Sequence, residues 1–344
     1  MEDLYYVHKM GSQELGSVDK HGGISQRGKY IYLSKKLISF FPKLASQVLN
    51  DEVGIFLVPT WGDRVVKILT TLKYHNQKHS VKGYKGKNPR DEFRLYLNEE
   101  DNLSKIFNQG DYVVLKKIGK TNTVYTYSIS CIKPGETGYD ILGEEMRKAT
   151  KKLNSGNHFL CEHHLNFIVD PVITNDTEVL ISKNFKKWFE KNGKSKNSKT
   201  VQKSITVAGK FFNSAIFHKV VLEAYGGKCA ITHQSIEYKD KTNIQSCHIK
   251  PRAMKGQYLP SNGIALCRDM HYAFDNGFIA IDDDYRIIVA KEIDKSELYK
   301  KYNGKKLFIP QEEFYKPDKR FLKFHRERIF EKFESISKLK NEDY

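Results

Sequence analysis

No stretch of this 344-residue chain approaches the ~18 consecutive apolar residues that a membrane span needs, so a membrane protein is not expected. The opening Met1-Glu2-Asp3-Leu4-Tyr5-Tyr6 lacks the basic-then-apolar layout of a secretory leader, and the expected location is cytoplasmic. Cysteine is scarce: five residues, at 131, 161, 229, 247 and 267, with no Cys-x-x-Cys pair. So odd and scattered a set excludes a disulfide scaffold, and a structural zinc site is not expected. No repeat of solenoid length is present. Acidic residues are in deficit, 41 Asp and Glu against 58 Lys and Arg, which leaves a net charge of +17. That excess favours a polyanionic partner, nucleic acid before a membrane surface. What remains is a globular balance, 39% hydrophobic and 29% charged, in a chain long enough for two or three domains.

Residues 24–132 read mostly as strands. Segments 29–33, 53–59, 65–69, 92–97, 112–115 and 123–129 are β-branched and aromatic runs separated by turn signals, the spacing of a barrel or pseudobarrel. Residues 136–192 are mixed and form either the end of the first domain, 1–135, or a small unit of their own. The polar, lysine-rich stretch 193–205 predicts a linker. Beyond it Phe212, Ile216, Val220 and Ala224 recur at helical spacing, which opens a last domain over 206–344. Leu322, Ile329, Phe333 and Ile336 predict a helix near the end.

The chemistry is concentrated in four segments of that last domain. They are Cys229-Ala-Ile-Thr232, Ser246-Cys-His-Ile-Lys-Pro251, Ser261-Asn-Gly-Ile-Ala-Leu266 and His271-Tyr-Ala-Phe-Asp-Asn-Gly277. A histidine closing a strand before Ile-x-Pro, an Asn-Gly at a chain return and a histidine opening a helix converge two imidazoles and an amide. One imidazole titrating near neutrality can take a proton from water, while a metal held by the other two groups stabilises charge on a phosphate. Each residue also has an ordinary structural reading: a satisfied histidine, a turn dipeptide, a buried thiol.

Taken in order, these motifs resemble the HNH nuclease family, whose finger is a two-stranded hairpin followed by a metal-binding helix. The likeness runs from about Phe212 to Lys332, with His325-Arg-Glu-Arg-Ile-Phe330 similar to the family's closing helix. The resemblance implies His248 as general base, His271 as metal ligand and Asn262 as either a ligand or the group that orients the base. It implies that Asp275 supports the helix and loop. Many members place Asp, Glu or His immediately before the base, whereas this chain has Cys247, read here as packing. Mg²⁺ is then the expected ion, with Mn²⁺ as substitute, because water and substrate phosphate can complete its shell. Cys229, Cys267 and His233 read as buried thiols and a bystander rather than a zinc site. Cys161-Glu-His-His-Leu165 imitates a nuclease finger, but no Asn and His follow at a fitting distance.

An HNH finger grips backbone, so another part of the chain must select the site. Lys82-Gly-Tyr-Lys-Gly-Lys-Asn-Pro-Arg90 is a basic, aromatic loop between two predicted strands, suited to a DNA groove or, equally, to a solvated hairpin tip. The order of segments over residues 24–118 resembles the amino-terminal effector domain of the EcoRII restriction enzyme, a pseudobarrel with two DNA-clasping arms. That resemblance implies DNA contacts from Lys35 and Lys36 on one arm and from Lys85, Arg90 and Arg94 on the other. Trp61 and Tyr74 read as core.

The sequence thus predicts an α+β multidomain protein, a β-rich DNA-binding pseudobarrel followed by a ββα-metal nuclease domain. The expected function is a restriction-type double-stranded DNA endonuclease acting as a homodimer. The alternatives are a nuclease that requires a modified base, and a DNA-binding regulator without catalysis.

Overall fold

The computed structural model describes residues 3–15, 29–46, 48–79, 89–97, 103–121, 124–153, 157–174, 177–193, 211–239, 241–293 and 296–333. The chain divides into two compact units, Met1–Asn192 and Gly193–Tyr344. From residue 194 the lysine-rich stretch predicted as a linker lies outside the described residues.

The first unit is built on β1 (Tyr5–Lys9), β2 (Tyr30–Leu33), β3 (Glu52–Pro59), β4 (Val66–His75), β5 (Glu92–Tyr96), β6 (Tyr112–Thr121), β7 (Val124–Ile132), β8 (His158–Cys161) and β9 (Glu178–Ile181). They form one sheet in the order β2-β5-β4-β3-β7-β6-β1-β8, with β9 joined to β4. The β3–β7 and β4–β9 pairings are parallel and the rest antiparallel. Period-two alternation sends Ile55, Leu57, Ile68, Leu72, Phe93, Leu95, Val113, Leu115, Tyr127 and Ile129 into a single core, so the sheet curls into a barrel. Among the described residues, side chains rather than a ladder tie β2 back to β1 and the turn after it. The Tyr32 N–H of β2 donates to Glu14 Oε1 at 2.6 Å, and the Ser34 N–H donates to Tyr6 Oη of β1 at 2.8 Å.

Helix α1 (Leu103–Ile106) precedes β6. The outer face of β1 and β6, with Tyr5, Val7, Tyr112 and Val114, packs on Leu142 and Met146 of α2 (Tyr139–Leu153). Helix α3 (Lys183–Gly193) follows β9. Tyr74 stacks on Phe93 at 4.0 Å and Trp61 packs edge-on against Phe107 at 5.7 Å. Cys161 is buried beside His163 and His164 pairs with Asp3, which accounts for that motif as structural.

The second unit opens with α4 (Ser214–Ala224), capped by the Asn213 side chain, which accepts the Ile216 N–H at 2.9 Å. A small hairpin, β10 (Glu237–Tyr238) and β11 (Lys241–Thr242), precedes β12 (Ile244–His248) and β13 (Gly263–Cys267). Then come α5 (Arg268–Asp275), β14 (Ile279–Ile281), β15 (Ile287–Val289), α6 (Glu297–Lys300) and α7 (Lys319–Arg328). Its core joins Phe217 and Val221 of α4, Cys247 of β12, Ile264 and Leu266 of β13, Phe274 of α5 and Leu322 of α7. Helix α7 is shorter than its apolar spacing predicts: it ends at Arg328, and left-handed turns at Glu331 and Phe333 carry the chain away. Ile336 lies outside the described residues. No described helix is long and apolar enough to cross a membrane.

Candidate active site

Strand β12 ends at His248, and β13 starts opposite it, His248 pairing with Gly263. Gly263 is required there, because a Cβ would stand 2.4 Å from Val221 and 2.9 Å from the Phe217 ring. Helix α5 leaves β13 without a loop, which sets His271 and Asp275 one turn apart on a single face. Side-chain atoms of Cys247, His271 and Asp275 lie within 4.8 Å of one another, the one such group of three among the described residues.

The hydrogen bonds of this cluster fix its chemistry. Gln245, two residues before Cys247 on β12, accepts from His271 Nδ1 at 2.8 Å. An amide oxygen only accepts, so the proton is assigned to Nδ1 and the lone pair to Nε2. That nitrogen lies 3.2 Å from Asp275 Oδ2. A lone pair and a carboxylate held this close need a proton or a cation between them, and imidazole with carboxylate is a donor set for a divalent ion. Cys247 is fully buried and burial pushes its thiol well above the usual range. It therefore stands as a neutral S–H that donates to Asp275 Oδ1 at 3.5 Å.

His248 is held on its flat sides. Its ring stacks on Phe217 at 4.1 Å and 18° and meets the edge of Tyr258 at 5.4 Å. Burial and then the Arg252 charge bring its pKa down to about 4, partly opposed by Asp275, so the imidazole is neutral near pH 7. Nε2 is buried and has no hydrogen-bond partner among the described residues. A neutral ring with an unpartnered nitrogen is the form a general base requires.

Asn262 is fully buried, and its amide is engaged on the loop after His248. Oδ1 accepts the Lys250 N–H at 2.8 Å, while Nδ2 donates to Lys250 O at 3.1 Å and Gln257 O at 2.9 Å. These bonds brace the loop that follows His248. The His325 Nε2–H of α7 donates to Phe274 O at 3.0 Å, and its ring stacks on Phe274 at 3.7 Å, which pins the end of α5 that carries Asp275. Cys229 and Cys267 share a hydrogen bond, and His233 instead faces Phe308 at 5.0 Å.

The expected DNA-contacting residues of the first unit divide into three groups. Lys35 and Arg90 are exposed; Lys35 pairs with Asp91, the residue after Arg90, which also pairs with His79 at 2.9 Å and accepts from Tyr74 Oη at 2.9 Å. Lys36 is exposed beside Lys35. Arg94 is instead turned inward, ion-paired with Glu92 and lying over the Tyr30 ring at 3.8 Å. Lys85 lies outside the described residues. Gln245 and Phe217 were not singled out by sequence; only the strand register and the helix packing bring them to the two histidines.

A family model described as HNH endonuclease matches residues 229–282, and the second unit carries an HNH nuclease domain. HNH nucleases use divalent metals, and the Cys247, His271 and Asp275 group is where this chain can hold one. Among solved structures, a modification-dependent TagI restriction endonuclease is similar at 24% identity and a TM-score of 0.28. The match covers 35% of this chain and 39% of that one, so the chain spans about two fifths of its length. The N-terminal domain of Helicobacter pylori LlaJI.R1 is similar at 12% identity and a TM-score of 0.27, over 46% of this chain and 97% of that one. No curated protein matches the chain.

Proposed function

We propose that this protein is a metal-dependent endonuclease of restriction type that hydrolyses phosphodiesters in double-stranded DNA at particular sequences. The observation that carries the reading is the neutral His248 ring, its buried Nε2 without a hydrogen-bond partner among the described residues, beside the group formed by Cys247, His271 and Asp275. His248 Nε2 takes a proton from water as the water oxygen attacks phosphorus. The bond from phosphorus to the 3′ oxygen breaks, and that oxygen leaves with a proton from solvent. His271 Nε2 and Asp275 would hold the ion, with Gln245 keeping the ring of His271 in the ligating tautomer. A bound divalent ion supplies Lewis-acid stabilisation of the charge developing on the phosphate. Mg²⁺ is the ion of choice, because one imidazole and one carboxylate leave positions that water and substrate phosphate can fill.

Asn262 acts as a positioning residue for His248 through the loop it braces. In the first unit Lys35, Lys36, Lys85 and Arg90 supply phosphate and base-edge contacts, and Arg94 stiffens the barrel wall through Glu92 and Tyr30. One finger cuts one strand, so cleavage of both strands at a symmetric site calls for a homodimer or two successive nicks.

Cleavage of a methylation-free phage DNA and a methylated copy, with Mg²⁺ or with EDTA, tests the reading. Discrete fragments that require both the ion and His248 support it, and the preferred DNA separates a conventional from a modification-dependent enzyme. Duplex binding without cleavage of either DNA would leave a regulator.

A further inference from the structure

In the first unit, a cavity of about 520 Å³ opens between one face of α3 and the strands β3 and β4. Asn184, Lys187, Trp188 and Lys191 recur at helical spacing on α3 and form one wall. The opposite wall is the turn at 48–50 that leads into β3, and Tyr96 at the end of β5 completes it. The volume falls within the ~300–1,000 Å³ of small-ligand sites.

Buried groups hold this wall in place. Fully buried Asn76 donates from Nδ2 to the carbonyls of Ser46 and Val48, both at 2.6 Å, and its Oδ1 accepts the Asn50 N–H at 2.8 Å. His75 Nε2 and Tyr96 Oη share a hydrogen bond of 2.8 Å, which fixes the tyrosine ring. Asn50, at φ 52°, carries a side-chain Oδ1 that is buried and has no partner among the described residues. An unpaired buried acceptor is costly, so a ligand that donates to it is favoured. The two acids of the wall are already engaged: Asp51 accepts the Ala45 and Glu52 N–H groups, and Glu52 pairs with Lys73. Lys187 and Lys191 have no ion pair among the described residues, which leaves the site cationic.

We infer that this cavity takes a single nucleobase together with its phosphate. Trp188 and Tyr96 offer the aromatic surface for a flat ring, Asn50 Oδ1 accepts from an exocyclic amine or ring N–H, and Lys187 and Lys191 meet the phosphate. The base arrives either in a free nucleotide or swung out of a DNA duplex. Only the second source rests on the reading of the protein as a DNA nuclease.

The test uses the full chain bearing Trp61→Phe, so that Trp188 is the one indole of the two in the sequence. The probes are the four deoxynucleoside 5′-monophosphates and a bound duplex containing 2-aminopurine. Saturable quenching of Trp188 by a monophosphate marks the free source. A rise in 2-aminopurine fluorescence on binding marks the duplex source. Asn50→Gly, which keeps the left-handed backbone and removes the acceptor, weakens either signal about tenfold. Lys187→Ala with Lys191→Ala weakens it by a similar factor and makes it less salt-dependent. Thermal melts confirm that each variant is folded. No quenching by any monophosphate at millimolar concentration, with 2-aminopurine unchanged in a duplex that the protein binds, overturns the inference, as do variants that bind like the parent. Metal-dependent cleavage scored on the same samples tells the two readings apart, since base binding without cleavage removes the nuclease reading alone.

Discussion

At the scale of single residues, the site depends on which nitrogen of each histidine is open. Gln245 keeps His271 Nε2 unprotonated toward Asp275, and stacking on Phe217 fixes the plane of the His248 ring, whose Nε2 has no hydrogen-bond partner among the described residues. Gln245→Ala is expected to weaken the apparent Mg²⁺ affinity about 10–100-fold while saturating Mg²⁺ restores most of the rate, measured as cleavage against metal concentration. Asn262→Ala should behave differently. It leaves the Lys250 N–H and two carbonyls without their partner, so it lowers stability by about 1–3 kcal/mol in a denaturant titration and lowers the rate, with the metal dependence unchanged. A large loss of metal affinity in that variant would make Asn262 a ligand after all. The positions of His248, Asn262 and His271 around the candidate site were legible because each sits in a short motif at a turn or element end. Gln245 was not, because a lone glutamine carries no signal until the register of β12 places it beside α5. The readings of Asp275 as support and Cys247 as packing hold in part: both pack, and both also belong to the group that can hold the ion.

At the scale of elements, the finger is held from two sides. Helix α4 presses Phe217 and Val221 against the first residue of β13, and α7 pins the end of α5 through His325. Gly263→Ala forces a methyl into that first contact and should destabilise the second unit by about 1–3 kcal/mol, read from its melting transition, and lower the rate by displacing His248. In the first unit, the strands beginning near 30, 53, 66, 92, 112 and 124 were legible from period-two patterning. β1 was not, since Tyr5-Tyr6-Val7-His8 is buried on both faces and shows no polar alternation. β8 and β9 are four residues each, too short for a pattern to stand out from the mixed region around them. The seam closure by Glu14 and Tyr6 was invisible in the sequence, because it joins side chains to an edge strand far along the chain.

At the scale of the whole molecule, acid and salt are the informative variables. Burial, the largest cause in each case, lowers the pKa of His75 and His158 to about 3 and of His325 to about 4, against ~6.5 unfolded. The unfolded chain therefore binds more protons than the folded one below pH ~6.5, and stability falls as pH falls through that window. Each histidine contributes about 1.4 kcal/mol per pH unit until its folded pKa is reached, so melting temperatures should drop steadily between pH 6.5 and 4. Replacing His325 by a neutral residue that keeps the fold should flatten part of that slope. The net charge of +17 predicts duplex affinity that falls tenfold or more between about 50 and 200 mM salt, checked by gel shift. The central claim is that His248 is the base of a metal-dependent nuclease, and comparing wild type with His248→Ala on one DNA substrate tests it most directly. The variant should melt within a few degrees of wild type, bind duplex as tightly, and cleave about 10²–10⁴-fold more slowly at saturating Mg²⁺. Cleavage by the folded variant at the wild-type rate would contradict the assignment.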